Sequence, residues 1–107
     1  MKRAGMLDQA MVYYRSAMDL EPDNSVFLYN TGVLHNIQQD YPEAIDLLEK
    51  SIENNRENVY AYLALGDAYE RQDLPQKAIY VYRDLMSLNV NVHGLKEKLS
   101  ELETRVK

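Results

Sequence analysis

Apolar residues recur at three- and four-residue intervals through nearly the whole chain, which is the spacing of one buried helical stripe. From Met6 to Leu20 the stripe is Leu7, Ala10, Met11, Tyr14, Ala17 and Met18. Glu21-Pro22-Asp23-Asn24 then supplies a stop and an N-cap, so a second helix is predicted from about Ser25 to Gln38. Pro42 falls in the first turn of a third helix, where its missing N–H leaves no bond unmade. That helix carries Ala44, Ile45, Leu47, Leu48 and Ile52 and closes near Asn54-Asn55. Asn58 is placed to cap a fourth helix over Val59–Arg71, and Asp73-Leu74-Pro75 opens a fifth over Pro75–Leu88. After the turn Asn89-Val90-Asn91, a sixth helix over His93–Arg105 presents Leu95, Leu99 and Leu102, with Val106 following, among lysines and glutamates. The only alternating stretch, Val90-Asn91-Val92, is too short to make a strand count. The expectation is an all-α chain of antiparallel helix pairs joined by short loops.

Two positions repeat at a fixed distance. Gly32 and Gly66 lie 34 residues apart, as do Ala10, Ala44 and Ala78. A period of this length marks stacked helix hairpins. In each pair the first helix offers a glycine and the second an alanine where the backbones approach. Tyr14, Leu48 and Tyr82 stand beside them as the large residues that fill the space. One hairpin cannot bury both of its faces, so neighbours complete the core by stacking.

At these residues the chain resembles the tetratricopeptide repeat (TPR) family. Tyr62, Leu65-Gly66, Tyr69, Ala78 and Tyr82 follow the family pattern closely, and Leu28, Gly32, Ala44 and Leu48 follow it less fully. Ala10, Tyr14, Ala17 and Pro22 match the second half of a repeat. The likeness runs from about Gly5 to Val92. It departs at Thr31, at His35 in a tyrosine slot, and at Arg56 and Val90 in place of the exit proline. The resemblance implies an α-solenoid of TPR-like hairpins with a C-terminal capping helix. Its divisions would be a half repeat over 5–24, full repeats over 25–58 and 59–92, and the cap over 93–107 within one domain, 1–107. A coiled-coil seam on the last helix is the sharper alternative, but its leucine stripe is too brief to argue for one.

The resemblance also implies a function: non-catalytic capture of a partner peptide or helix in the concave groove lined by first helices, as a scaffold or adaptor. Carried over position by position, the groove residues are Val26, Tyr29, Val33, Asn36, Ile37, Tyr60, Leu63, Asp67, Glu70 and Arg71. Some family members grip the C-terminal carboxylate of heat-shock chaperones with Lys, Asn and Arg. Asn30 occupies the place of that Asn, but Tyr60 and Ala64 stand where the next repeat's cations belong, so this clamp is not expected here. The alternative function is structural. The first helix has no partner helix of its own in the sequence, which leaves Leu7, Met11, Tyr14 and Met18 as a candidate self-association face. Leaving three or four such side chains wet would forgo roughly 5–10 kcal/mol of burial. Further repeats of a longer solenoid are the first expected remedy, and a homo-oligomer or a partner helix the others.

Composition narrows the field. Of 107 residues, 46% are hydrophobic and 27% charged, an ordinary balance for one globular domain. The net charge of −5 argues against nucleic acid and anionic membranes as partners, since both demand clustered Lys and Arg. There is no cysteine, and His35 and His93 have no second ligand at metal spacing, so no cofactor or metal is implied. His35 is expected to pack in its tyrosine slot. No nucleophile–base set or phosphate-cradling glycine loop stands out, so the chain is not read as an enzyme. The opening residues lack an apolar stretch of the signal-peptide kind, and a cytoplasmic setting is the default expectation.

Overall fold

The computed structural model describes residues 2–106. Six helices follow one another: α1 (Lys2–Leu20), α2 (Ser25–Ile37), α3 (Tyr41–Asn54), α4 (Val59–Arg71), α5 (Pro75–Ser87) and α6 (Leu95–Arg105). Asn24 caps α2 by accepting from the Val26 and Phe27 amides, and Asn58 caps α4 by accepting from Tyr60. Pro42 and Pro75 sit in the first turns of α3 and α5. The turns after α2 and α4 close alike. Gln39 (φ 64°) and Asp73 (φ 59°) enter the left-handed region, and the next amides, Asp40 and Leu74, reach back to the His35 and Tyr69 carbonyls. This Schellman-type closure recurs at the repeat distance without a glycine to announce it.

The helices stack in sequence, α2 on α3, α3 on α4, α4 on α5 and α5 on α6, with α1 laid on α2. The two glycines sit where a hairpin's helices touch. A Cβ on Gly32 would come 2.7 Å from Leu48 Cγ, and one on Gly66 would strike the Tyr82 ring, 2.7 Å from its Oη. Both covering residues are buried, and Ala44 and Ala78 beside them are fully enclosed. The departures from the family pattern are accommodated locally. Thr31 is buried with its hydroxyl donating to the Phe27 carbonyl, and His35 places Nδ1 3.2 Å from Asp40 Oδ2.

The last helix is a cap. Leu95, Leu99 and Leu102 are buried in one cluster with Tyr62, Ile79, Tyr82 and Leu85. Glu103 pairs with Arg83, Arg105 with Asp73, and Lys98 with Glu70 around that contact. The exposed pairs Arg83–Glu103 and Arg105–Asp73 contribute at most about 1 kcal/mol each, whereas each buried leucine contributes about 1.5–3 kcal/mol. The leucine stripe therefore holds α6 in place, and it is not left open as a coiled-coil seam.

Glu70 ties three helices together. The Tyr82 hydroxyl on α5 donates to its Oε2 at 2.7 Å, and Lys98 Nζ on α6 stands 3.2 Å from its Oε1. Burial pushes the Tyr82 phenol far above its ordinary value near 10, and the Glu70 carboxylate adds to the shift. The folded chain thus holds this proton more tightly than the unfolded one, so the stabilisation is complete below pH 10 and is lost as pH rises above it. Tyr29, Tyr62 and Tyr69 shift in the same direction. Tyr82→Phe should cost about 1–2 kcal/mol at neutral pH and make the alkaline fall in stability shallower, read from urea denaturation at a series of pH values. Gly66→Ala should destabilise by about 1–3 kcal/mol in spite of alanine's better helix propensity, read as a lowered Tm.

Candidate functional site

On α4, residues separated by about half a turn face opposite ways at 100° per residue, and the helix lines two different clefts. Tyr60, Leu63, Ala64, Asp67 and Arg71 line the first, together with Tyr29, Val33, Asn36 and Ile37 of α2, and Gln39 and Tyr41 at the entry to α3. This cleft has a volume of about 470 Å3. It continues past Tyr60 and Leu63 into a second hollow formed with the loop Val90–His93. Tyr60, 67% exposed, stands as the ridge between the two.

The chemistry of the groove is aromatic and amide-rich, with one cation. Burial pushes the Tyr29 phenol up and nearby Tyr60 adds to it, so the Tyr29 hydroxyl stays a neutral hydrogen-bonding group at ordinary pH. Asn36 Nδ2 donates to the Ala64 carbonyl at 3.1 Å, bridging α2 to α4 across the groove floor. Its Oδ1 is buried and, among the described residues, finds no donor. Arg71 Nε donates to Asp67 Oδ2 at 3.1 Å. The hydrogen bond to Asp67 raises its pKa further, and the charge of that carboxylate and the nearby Tyr41 act the same way. A guanidinium has five N–H donors, so the bond to Asp67 leaves others of Arg71 available at the cleft it lines.

Eight of the ten groove residues expected from sequence meet in this cleft: Tyr29, Val33, Asn36, Ile37, Tyr60, Leu63, Asp67 and Arg71. Val26 and Glu70 do not line it. Val26 is exposed elsewhere on α2, and Glu70 is turned away to Tyr82 and Lys98. Gln39, Tyr41 and Ala64 were missed. Gln39 belongs to the turn, which carries no helical phase from which to read a direction, and Tyr41 opens α3, a second helix of a hairpin, whereas the groove was read from first helices alone. The face suggested for self-association is also arranged differently. Leu7, Met11, Tyr14 and Met18 are half-buried, with the Tyr14 ring centroid 6.3 Å from that of Phe27 on α2. Among the described residues, Met6, Val12, Tyr13 and Leu20 are large apolar side chains of α1 that face solvent. Among the described residues no group of His, Cys, Asp and Glu is arranged to hold a metal, and no helix is long and apolar enough to cross a membrane.

The tetratricopeptide repeat profile matches residues 3–56 and again 38–86. Stress-induced-phosphoprotein 1 of Caenorhabditis elegans is 27% identical over 108 residues, a match that takes in 94% of this chain and 33% of that protein. The chain thus spans about a third of the length of that relative. Among solved structures, the first TPR of Spaghetti (RPAP3), bound to the HSP90 peptide SRMEEVD, superposes with a TM-score of 0.84 at 21% identity, covering 97% of this chain and 85% of that one. The second TPR domain of human RPAP3, in complex with the HSP70 peptide SGPTIEEVD, gives 0.81 at 17% identity, covering 94% of this chain and 84% of that one.

These complexes overturn one expectation. The sequence reading set the chaperone-tail clamp aside, yet domains with this architecture are found bound to chaperone peptides ending in EEVD. The error was to demand cations at Tyr60 and Ala64 alone. Arg71, already among the expected groove residues, lies two turns beyond Ala64 on α4 and lines the same cleft, and the reading did not count it as a donor for the clamp. Profile, relatives and stacked hairpins agree, and the chain belongs to the tetratricopeptide repeat family.

Proposed function

We propose that the chain is a non-catalytic protein-interaction module whose α2–α4 groove captures an acidic peptide segment of a partner, of the kind found at chaperone C-termini. The observation that carries this reading is the Arg71 guanidinium at the edge of a cleft walled by Tyr29, Tyr41 and Tyr60 and floored by Asn36. Arg71 offers charge-assisted hydrogen bonds to a carboxylate, and the tyrosines offer apolar area with hydroxyl tips. The peptides held by the two RPAP3 domains have this composition, with two glutamates, a valine and a terminal aspartate. A cytoplasmic setting stays part of the reading. The groove is small, so the complex should be weak and transient.

Fluorescence anisotropy with labelled SRMEEVD and SGPTIEEVD tests this directly. Saturable binding with a Kd of about 10–100 μM is expected, weakened about tenfold by Arg71→Ala and further by raised salt. Tyr60→Ala, a change at an exposed ring, should weaken it several-fold with no change in Tm. Affinity that is indifferent to both substitutions would remove the groove from the reading.

A further inference from the structure

The other side of α4 lines a second cleft, of about 410 Å3, between α3 and α5. Its floor is apolar: Tyr62, Leu65 and Tyr69 of α4 with Ile52 of α3 and Val81 of α5. Its rim is acidic, with Glu49 and Glu53 on α3 facing Asp84 on α5. These three carboxylates stand against one ammonium, Lys77, whose Nζ lies 5.8 Å from the centre of the Tyr69 ring. Among the described residues none of the three acids is in an ion pair, although six other pairs are formed. Tyr80 stands at the edge with 72% of its surface exposed, an aromatic wall with nothing laid against its outer face.

We propose that this cleft is a second docking site, which takes a basic segment of a partner protein and buries an apolar or aromatic side chain between flanking lysines or arginines. Two features select that occupant together. The floor rewards an apolar side chain, since its residues are already partly or wholly withdrawn from water and an inserted ring would dry the remainder. The rim rejects an acidic segment and attracts a basic one, because three unpaired carboxylates focus negative potential over a low-dielectric floor. The floor tyrosines register that potential. Burial pushes Tyr69 up and Glu49 adds to it, while burial pushes Tyr62 up with Arg56 opposing and Asp84 adding. The cleft therefore has the opposite polarity to the Arg71 groove, and it lies on the opposite face of the same helix. One module can then join an acidic-tailed partner to a basic one with α4 between them. This site does not depend on what the first groove binds.

The test is titration of 15N-labelled protein with the peptide KKRWLRKK, beside KKRAARKK and EEDWLDEE as controls. Saturable amide shifts centred on α3 and α5 are expected for KKRWLRKK, with affinity about tenfold weaker for KKRAARKK and no binding of EEDWLDEE. The combined variant Glu49→Gln, Glu53→Gln and Asp84→Asn should weaken KKRWLRKK about tenfold, and Tyr80→Ala should weaken it several-fold. Both variants alter exposed side chains, so their circular dichroism and their affinity for SRMEEVD should match the parent. Equal binding of KKRWLRKK and KKRAARKK would reduce the effect to diffuse charge attraction. Unchanged affinity in the carboxylate variant, shifts centred on the Arg71 groove, or no saturable binding would each overturn the proposal.

Discussion

Everything in this chain is hung on the contact between a glycine in one helix and a large side chain laid over it from the next. At Gly66 the Tyr82 ring occupies the space a Cβ would need, and at Gly32 the Leu48 side chain does the same. With the ring laid over Gly66, its hydroxyl reaches Glu70 one turn further along α4, and Glu70 in turn meets Lys98 of the cap. A steric detail of the hairpin thereby sets the phase of α5 on α4 and the position of α6 on both. The ion pairs around the cap follow from this arrangement and do not create it, since exposed pairs are weak beside buried leucine.

Once the hairpins are in phase, α4 becomes a partition. Its successive side chains alternate between a groove with an arginine and three tyrosines and a cleft with an apolar floor and three carboxylates. The acidic net charge of the chain is thus distributed with a sign. Overall charge argued against nucleic acid and membrane as partners, and it said nothing of the cation held in the groove. Local geometry overruled the bulk value there because Asp67 keeps the arginine in place while leaving most of its donors free.

Much of the architecture was readable in advance, since helix caps and helical stripes are local signals. Asn24 and Asn58 cap where expected, the two prolines open their helices, and the six elements fall within a few residues of their predicted bounds. The site was legible in part. Positions carried over from the repeat put eight residues in the groove, but Glu70 turned to a buried tyrosine instead, and the turn residue Gln39 and Tyr41 at the start of α3 joined it from outside the first helices. The α1 stripe was correctly read as apolar, yet much of it lies against α2, and a different set of side chains meets solvent.

The sequence by itself determined the period, the helices and the pairing of small with large residues, because steric fit and hydrogen-bond capping act over a few residues and leave a pattern in the chain. Which way each polar side chain turns was decided only by the tertiary structure. A carboxylate at Glu70 and one at Asp67 look alike in sequence, but the first answers to Tyr82 and Lys98 and the second to Arg71. The opposite polarities of the two faces of α4 likewise arise from residues on three helices, distant in sequence, that share a cleft only after the hairpins have stacked.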